Sequence, residues 1–242
     1  MKTYLSLFIL TLFLSCGQKS VTVLGNKTVY YDSGEKKAEG VEKENLKQEN
    51  WTYFYKSGKK LSEGTYKNNK RNGVWKFWHE NGKQRGLSEW KDDLQHGKFI
   101  EWYDNGQKKS ESYWIDDKQE GQVTFWCENG QLETKAEMKL GELNGKRNEW
   151  FCNGNKQTEG EFLNGKPIGQ YKTWYENGQV KEQGNYSKGG LANGEVKSYY
   201  ENGNLKFVVN FTDGKKDGIW KFYDDSGTLT KTEKYNENEL VE

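Results

Sequence analysis

Few side chains in this chain could carry out chemistry. The sequence has two histidines, His79 and His96, and three cysteines. A metal site needs several such side chains converging on one point, and a nucleophile needs a base within hydrogen-bond reach. Neither histidine has partners at a spacing typical of these sites, and the 28 glycines are spread rather than clustered into a phosphate-binding loop. We therefore predict no catalytic residue, no metal site and no cofactor.

Two of the cysteines could form a disulfide. Cys127 and Cys152 stand three and two residues before Gly130 and Gly154, respectively. In alternating strands these places point to opposite faces, and equivalent strands of a flat meander are about 9.6 Å apart. That separation exceeds the reach of a disulfide. The spacing therefore predicts two free thiols.

The third cysteine, Cys16, follows an apolar segment. Residues 1–15 begin with Met1 and Lys2 and continue into an apolar run that ends at Leu14-Ser15. The segment resembles the signal peptide and lipobox of bacterial lipoproteins, in which the cysteine after the cleavage site is acylated. The resemblance implies a signal peptide over residues 1–15, lipidation of Cys16, and a tether over residues 16–27. We expect a lipid anchor in the outer or cytoplasmic membrane of a bacterial cell envelope, or secretion if Cys16 is not acylated.

The composition favours a thin β-structure. Only 32% of the residues are hydrophobic while 15% are aromatic, so aliphatic side chains are too scarce for a thick two-layer core. Lys and Arg total 37 and Asp and Glu total 36, and the two signs alternate along the chain. This pattern lacks the basic stripe that nucleic-acid binding requires, so we predict no nucleic-acid partner.

Glycines recur with a period of 24 residues, stretched once to 25. Such a period indicates a repeat array. Six of the nine follow asparagine, and Asn-Gly between two strand-forming runs predicts a hairpin turn. The single insertion falls around Lys188-Gly189-Gly190. The turn glycines, which number units 1 to 9, are Gly34, Gly58, Gly82, Gly106, Gly130, Gly154, Gly178, Gly203 and Gly227.

Aromatic residues occupy fixed places before each turn. One column lies four residues before the turn glycine, and its neighbour, three residues before, must point to the other face. Small residues recur six residues after the turn, where they let a neighbouring ring lie across the backbone. A type I′ turn and a type I turn with a G1 bulge give different registers, and both remain open. The candidate binding or packing aromatics are Trp78, Trp102, Trp126, Trp150, Trp174, Tyr103, Tyr175 and Tyr200.

Segments such as GVWKFWHENGKQ and GQYKTWYENGQVKEQGNY resemble MORN repeats, in particular their bacterial variant form. The resemblance extends from Thr28 to Tyr235, and the first unit departs from it because Glu49-Asn50-Trp51 replaces the closing glycine. It implies an all-β fold over residues 28–242, an elongated, twisted, single-layer sheet of nine tandem hairpins. It also implies a non-enzymatic role in protein contact, with members labelled as antitoxin or immunity proteins.

Three classes of function fit these features, of which the third is a purely structural surface protein or spacer. The first is an envelope-anchored, protein-binding repeat module, either a scaffold or an immunity-like partner of a toxin. The alternative is a glycan-binding or cell-wall-binding repeat protein whose exposed Trp and Tyr columns stack on sugars. The second class requires one tryptophan column to be exposed to solvent.

Overall fold

The computed structural model describes residues 24–242, which form one open antiparallel sheet of 21 strands. The predicted all-β repeat sheet is confirmed. Within the described residues, no helix is long and apolar enough to cross a membrane. The signal peptide and Cys16 lie outside this range and stay predictions.

The strands follow the 24-residue period. Their bounds are β1 (Gly25–Tyr30), β2 (Lys36–Lys43), β3 (Leu46–Phe54), β4 (Lys60–Lys67), β5 (Lys70–Trp78), β6 (Gln84–Lys91), β7 (Leu94–Trp102), β8 (Lys108–Ile115), β9 (Lys118–Gln119), β10 (Gly121–Trp126), β11 (Leu132–Lys139), β12 (Glu142–Trp150), β13 (Lys156–Leu163), β14 (Lys166–Trp174), β15 (Val180–Tyr186), β16 (Gly194–Tyr199), β17 (Leu205–Thr212), β18 (Lys215–Lys216), β19 (Gly218–Tyr223), β20 (Leu229–Asn236) and β21 (Glu239–Leu240).

Nine hairpins carry the nine turn glycines. The hairpins are β1–β2, β3–β4, β5–β6, β7–β8, β10–β11, β12–β13, β14–β15, β16–β17 and β19–β20. Each hairpin pairs with the next, so sequence neighbours are also neighbours in the sheet. Strand β1 begins at Gly25, so Gly25–Lys27 lie in a strand rather than in the tether predicted over residues 16–27.

The Asn-Gly turns are not of type I′. In the turn of unit 3, Gly82 N–H donates to His79 O at 2.9 Å, and Gly82 has a φ of 88°. Asn81 has no positive φ, which a type I′ turn would require. The turn is therefore a type I turn followed by a glycine in the left-handed region. The register shifts between Phe77 and Trp78 as a result.

Type I′ turns occur at the opposite edge of the sheet, in the polar connections between hairpins. Both central residues there have positive φ. Asn and Asp tolerate this conformation better than other non-glycine residues. The paired residues are Glu44-Asn45, Asn68-Asn69, Asp92-Asp93, Asp116-Asp117, Leu140-Gly141, Asn164-Gly165, Asp213-Gly214 and Glu237-Asn238.

One face of the sheet, the packed face, holds the core. Its central column is the residue seven places before the turn glycine in units 2 to 9. It pairs with the residue six places after that glycine, which is small in units 2 to 7, as in Trp75 opposite Ser88. The ring of Trp75 also lies on Gly64 of the preceding hairpin, which confirms the role predicted for the small residues. This core column comprises Trp51, Trp75, Phe99, Val123, Arg147, Tyr171, Val196 and Trp220.

The predicted aromatics four residues before the turns are therefore not the core. Trp51 and Trp75 are 1% and 3% exposed, and they belong to the core column. Trp78 is only half-buried and lies on the opposite face, the charged face. Trp75 and Trp78 are three residues apart on one strand, so alternation places them on opposite faces, and the pairing of Trp75 with Ser88 puts the small residues on the face of Trp75.

Glu49 occupies the place where later units have a closing glycine. It pairs with Tyr66 as Gly73 pairs with Trp90, and it has a φ of 53°. A left-handed conformation costs a non-glycine residue roughly 1–2 kcal/mol. We expect Glu49→Gly to raise the free energy of unfolding by about 1 kcal/mol in a denaturant titration. The reverse change at the matched position, Gly73→Glu, is expected to lower the free energy of unfolding. A change of the same sign in both variants would contradict this account.

Candidate binding surface

A column of half-exposed rings runs along the charged face. It consists of the aromatic residue four places before each turn glycine. Tyr30, at the start of the array, is 60% exposed, and the other members are half-buried. Each ring therefore offers apolar surface without being part of the core. The column comprises Tyr30, Phe54, Trp78, Trp102, Trp126, Trp150, Trp174, Tyr199 and Tyr223.

Lysines of the preceding units cover several of these rings. Lys60 Nζ lies 5.0 Å from the centre of the Trp78 ring and 2.6 Å from the carboxylate of Glu63. An ammonium over a ring face is attracted to the π system. The same ring–lysine–glutamate set recurs three more times, as Phe54–Lys36–Glu39, Trp126–Lys108–Glu111 and Trp174–Lys156–Glu159.

The set around Trp126 borders a surface cavity of about 510 Å³ that is also lined by Lys98, Glu111 and Tyr113. Hydrogen bonds from Lys108 and Lys98 to the carboxylate of Glu111 lower the pKa of that carboxyl group. The group is therefore ionised at neutral pH, and it holds both ammonium groups beside the exposed Tyr113 ring. This part of the face combines apolar rings with charges of both signs.

The neighbouring aromatics, three residues before each turn glycine, connect successive turns. Tyr103 donates a hydrogen bond through its hydroxyl to Trp126 O at 2.8 Å, and His79 Nε2 lies 3.0 Å from Trp102 O. Burial raises the pKa of Tyr103, with smaller effects from Glu133 and Glu128, so its hydroxyl stays protonated and can donate. The other tyrosines that make the same bond are Tyr31, Tyr55, Tyr175 and Tyr200.

The turn asparagines add a second link between units. Asn105 Oδ1 accepts from Gln107 N–H at 2.8 Å, and its Nδ2 donates to Glu128 O of the next turn at 2.9 Å. Asparagine at this place thus fixes its own turn and joins it to the following one. The other turn asparagines that donate in this way are Asn81, Asn129, Asn153, Asn177 and Asn202.

We expect Tyr103→Phe to lower the free energy of unfolding by about 1 kcal/mol, because it removes one hydrogen bond to a backbone carbonyl. Phe151 occupies the same place in unit 6 without a hydroxyl. Phe151→Tyr is therefore the matched control, and we expect it to raise stability by a similar amount through a bond to Trp174 O. Urea titration of both variants measures the effect. If neither variant changes the free energy of unfolding, these hydrogen bonds between turns do not stabilise the fold.

The prediction of two free thiols is wrong, because Cys127 and Cys152 form a disulfide with a Cα–Cα distance of 5.7 Å. Both residues lie in turns, outside the ladder of regular strands. Adjacent turns are in contact, as shown by the 2.8 Å hydrogen bond from Asn129 Nδ2 to Cys152 O. The distance of about 9.6 Å between equivalent strands therefore does not apply to them.

The two histidines make separate contacts. His96 Nδ1 lies 3.0 Å from Asp116 Oδ1, and His79 belongs to the ladder of turn bonds. Between residues 24 and 242, no group of His, Cys, Asp or Glu side chains could hold a metal ion. Sequence reasoning missed the lysines over the ring column, although Lys36, Lys60, Lys108 and Lys156 all stand two residues after a turn glycine.

Comparisons with known proteins give a family and little beyond it. Two crystal structures, of TcdB2-TccC3 and TcdB2-TccC3-Cdc42, match with 12% and 11% identity and a TM-score of 0.22 each. The matches cover 89% and 87% of this chain, which spans about 13% of the length of those chains. A likeness this weak carries no argument. No curated protein matches the chain.

The family model described as "MORN repeat variant" matches six segments, which together make up more than half of the chain. The matched segments are residues 50–68, 71–92, 95–116, 167–188, 192–213 and 216–237. Residues 117–166 lie between the two groups of matches and form hairpins β10–β11 and β12–β13 with the same pairing. The chain belongs to the MORN repeat variant family.

Proposed function

We propose that the chain is a non-enzymatic, protein-binding repeat module whose binding surface is the charged face. The observation that carries the proposal is the continuous column of half-exposed rings from Tyr30 to Tyr223. Aromatic residues are enriched at the centres of protein interfaces, where they provide most of the binding energy. A column that repeats with the hairpin period suits an extended partner.

The lysines and glutamates beside the rings supply specificity rather than stability. The Lys60–Glu63 and Lys108–Glu111 side chains are about a third to two fifths exposed, and ion pairs at such exposed sites stabilise a fold by less than about 1 kcal/mol. Across an interface, however, a fixed order of charges selects complementary partners and raises association rates. A scaffold or an immunity-like inhibitor needs this kind of selectivity.

The covered rings favour a protein partner over a glycan. A sugar stacks flat on a ring, and the ammonium groups of Lys60, Lys108 and Lys156 already lie over Trp78, Trp126 and Trp174. A protein partner can displace a lysine or pair with it, whereas a neutral sugar gains little by doing so. We therefore place glycan binding second.

Anchoring to the cell envelope is a part of the same proposal. Two observations support it: the lipobox-like sequence that ends at Cys16, and the Cys127–Cys152 disulfide, a bond that persists mainly in oxidising compartments. If Cys16 carries the lipid, residues 17–24 connect it to β1. Eight residues span at most about 29 Å, so the first hairpin would lie close to the membrane.

Site-specific photo-crosslinking in the native host tests the binding surface. The full-length chain, tagged at its C-terminus, would carry a photoreactive residue at Lys135 beside Trp126 on the charged face, or at Phe125 on the packed face as the matched control. We expect a discrete protein adduct at Lys135 that is absent at Phe125 and is lost with Trp126→Ala. Adducts only with cell-wall material would favour the glycan alternative, and no adduct from the charged face would refute the proposal.

Metabolic labelling tests the anchor separately. Cells fed an alkyne-bearing fatty acid should label the full-length chain, and Cys16→Ser should abolish both the label and the membrane association. Cys152→Ser is the control, because Cys152 lies far along the chain in the turn of unit 6 and should keep the label. Export without labelling would support the secreted alternative and remove the anchor from the proposal.

A further inference from the structure

The packed face contains a cavity of about 300 Å³ between units 7, 8 and 9. Five of its lining residues are aromatic: Tyr186, Phe207, Phe211, Trp220 and Phe222. The remaining lining residues are Glu182, Ala192, Val196 and Val209. The volume is at the lower end of the range for small-molecule sites.

Elsewhere on the packed face, the chain places its own cations over such rings. Lys47 Nζ lies 4.6, 5.3 and 4.9 Å from the ring centres of Trp51, Tyr53 and Tyr66. Lys216 Nζ lies 4.7 Å from the ring centres of both Trp220 and Tyr235.

Arg71 stacks on Trp90 at 3.4 Å in the same way. Each of these cations stands four residues before a core-column tryptophan: Lys47 before Trp51, Arg71 before Trp75, and Lys216 before Trp220. Units 2 and 9 thus form aromatic boxes around a lysine, and unit 3 places an arginine over one ring.

Unit 8 has the box without the cation. Ala192 stands four residues before the core-column residue Val196, so it occupies the place of Lys47, Arg71 and Lys216. Units 2, 3 and 9 have a tryptophan in the core column and an aromatic residue two places after it; unit 8 has Val196 and Ser198 at these places. Ala192 and Val196 line the cavity with small side chains, and rings of units 7, 8 and 9 bound it.

The cavity also contains a negative charge, that of the Glu182 carboxylate. Glu182 lies four residues after its turn glycine, where units 1 to 4 carry Ala38, Ser62, Gly86 and Ser110. Its carboxylate is half-buried and forms no ion pair with the described residues. Burial raises the pKa of Tyr186, and the charge of Glu182 raises it further, which indicates that this carboxylate lies near the Tyr186 hydroxyl.

We propose that this cavity binds an alkylammonium group, held by the Glu182 carboxylate and by the faces of the surrounding rings. Rings and a carboxylate together attract an organic cation more strongly than either does alone, because both interactions are strengthened where water is excluded. The site lies on the packed face and does not depend on the partner proposed for the charged face. The ammonium group belongs to a small quaternary amine or to a lysine side chain, which share this chemistry.

Calorimetric titration and ligand-observed saturation-transfer NMR with the full-length protein test the site. The probes are choline, its neutral isostere 3,3-dimethyl-1-butanol, and Nα-acetyl-lysine amide. We expect saturable binding of at least one cationic probe and binding of the neutral isostere that is weaker by about tenfold, equivalent to about 1.4 kcal/mol. The cation that binds more tightly identifies the source of the ammonium group.

Two variants locate the binding. Glu182→Gln keeps the shape of the side chain and removes its charge, and we expect it to weaken cation binding about tenfold. Ala192→Lys supplies the cation that units 2, 3 and 9 carry, and we expect it to abolish binding while the β-sheet circular dichroism is retained. Glu161→Gln, an exposed glutamate outside the cavity, is the matched control and should bind normally.

The proposal fails if no cationic probe binds, if the neutral isostere binds as tightly as choline, or if Glu182→Gln binds like the unmodified protein. Should Ala192→Lys disturb folding, the comparison of Glu182→Gln with Glu161→Gln still decides the result. Because neither Glu182 nor Ala192 lies on the charged face, failure here leaves the protein-binding proposal unaffected.

Discussion

Replacing Trp75 with alanine is expected to lower the free energy of unfolding by about 3–5 kcal/mol. Trp75 is 3% exposed, and its indole N–H donates to Thr65 O at 3.2 Å. Its ring contacts the rings of Tyr66 and Tyr53 at centroid distances of 5.0 and 6.1 Å. In a single-layer sheet no second layer can close the resulting gap, so the cost should lie at the upper end of the range.

Gly64 provides an independent test of the same contact. A Cβ atom at Gly64 would lie 2.3 Å from Trp75 Cδ2, closer than side chains can approach. We therefore expect Gly64→Ala to be destabilising as well, because the indole must leave its site on the backbone.

The matched control for both is Trp126→Ala, which removes the same side chain from the charged face. Its ring is only half-buried, so we expect a loss of about 1 kcal/mol. Guanidinium titration followed by circular dichroism measures all three variants, and hydrogen exchange of β4–β6 locates the loss. If Trp126→Ala costs as much as Trp75→Ala, the assignment of the two faces is wrong.

Much of the fold follows from the sequence because each unit repeats the same local information. The 24-residue spacing of the turn glycines predicts nine hairpins, and all nine occur. The insertion around Lys188-Gly189-Gly190 is also correctly located, since it lengthens a connection between hairpins to a four-residue turn in which Gly190 N–H donates to Ser187 O.

The choice between the two aromatic columns could not be made from the sequence. Asn-Gly is compatible with two turn types, and the register decides whether Trp75 or Trp78 shares a face with the small residues. In the type I turn at Asn81-Gly82, the register shift between Phe77 and Trp78 leaves Trp75 opposite Ser88, and Trp78 lies on the other face. The hydrogen bonds between turns that favour this form, such as Asn81 Nδ2 to Asp104 O, join residues 23 positions apart and leave no local signature.

The disulfide was missed for a related reason. The spacing argument treats the hairpins as a flat meander, whereas the stacking of turns that brings residues of adjacent units together is a tertiary feature. One signal was available: Cys127 occupies the column where Tyr103 and Tyr175 reach the next turn. A residue in that column must lie near the following turn, which is where Cys152 stands.

The disulfide lies where the packed face is weakest. Aromatic packing is dense around Trp75 and around Trp220, but the core column has Val123 and Arg147 in units 5 and 6. Arg147 forms an ion pair with Glu149 in place of ring contacts. The side-chain hydrogen bond from the residue three places before the turn glycine to the next turn is also missing there, because Cys127 and Phe151 have no hydroxyl. The same region lies between the two groups of family matches.

Removing the disulfide with Cys152→Ser, or with a reductant, is expected to destabilise units 5 and 6 by about 3 kcal/mol. The cysteines are separated by 25 residues, and closing a loop of that length in the unfolded chain accounts for a loss of this size. Each unit of a repeat array contacts only its neighbours, so the loss should be local. Hydrogen exchange should show faster exchange in β10–β13, with β3–β6 and β19–β20 unchanged.

The double variant Cys127→Ser/Cys152→Ser is the control for the reductant, which should then have no further effect. If exchange rises equally along the whole sheet, the array unfolds as one unit, and the regions around Trp75 and Trp220 are not independent of units 5 and 6. If exchange does not rise in β10–β13, side-chain packing alone holds units 5 and 6. The expected local result would mean that the disulfide compensates for the weak packing of units 5 and 6 and keeps this part of the charged face continuous with its neighbours.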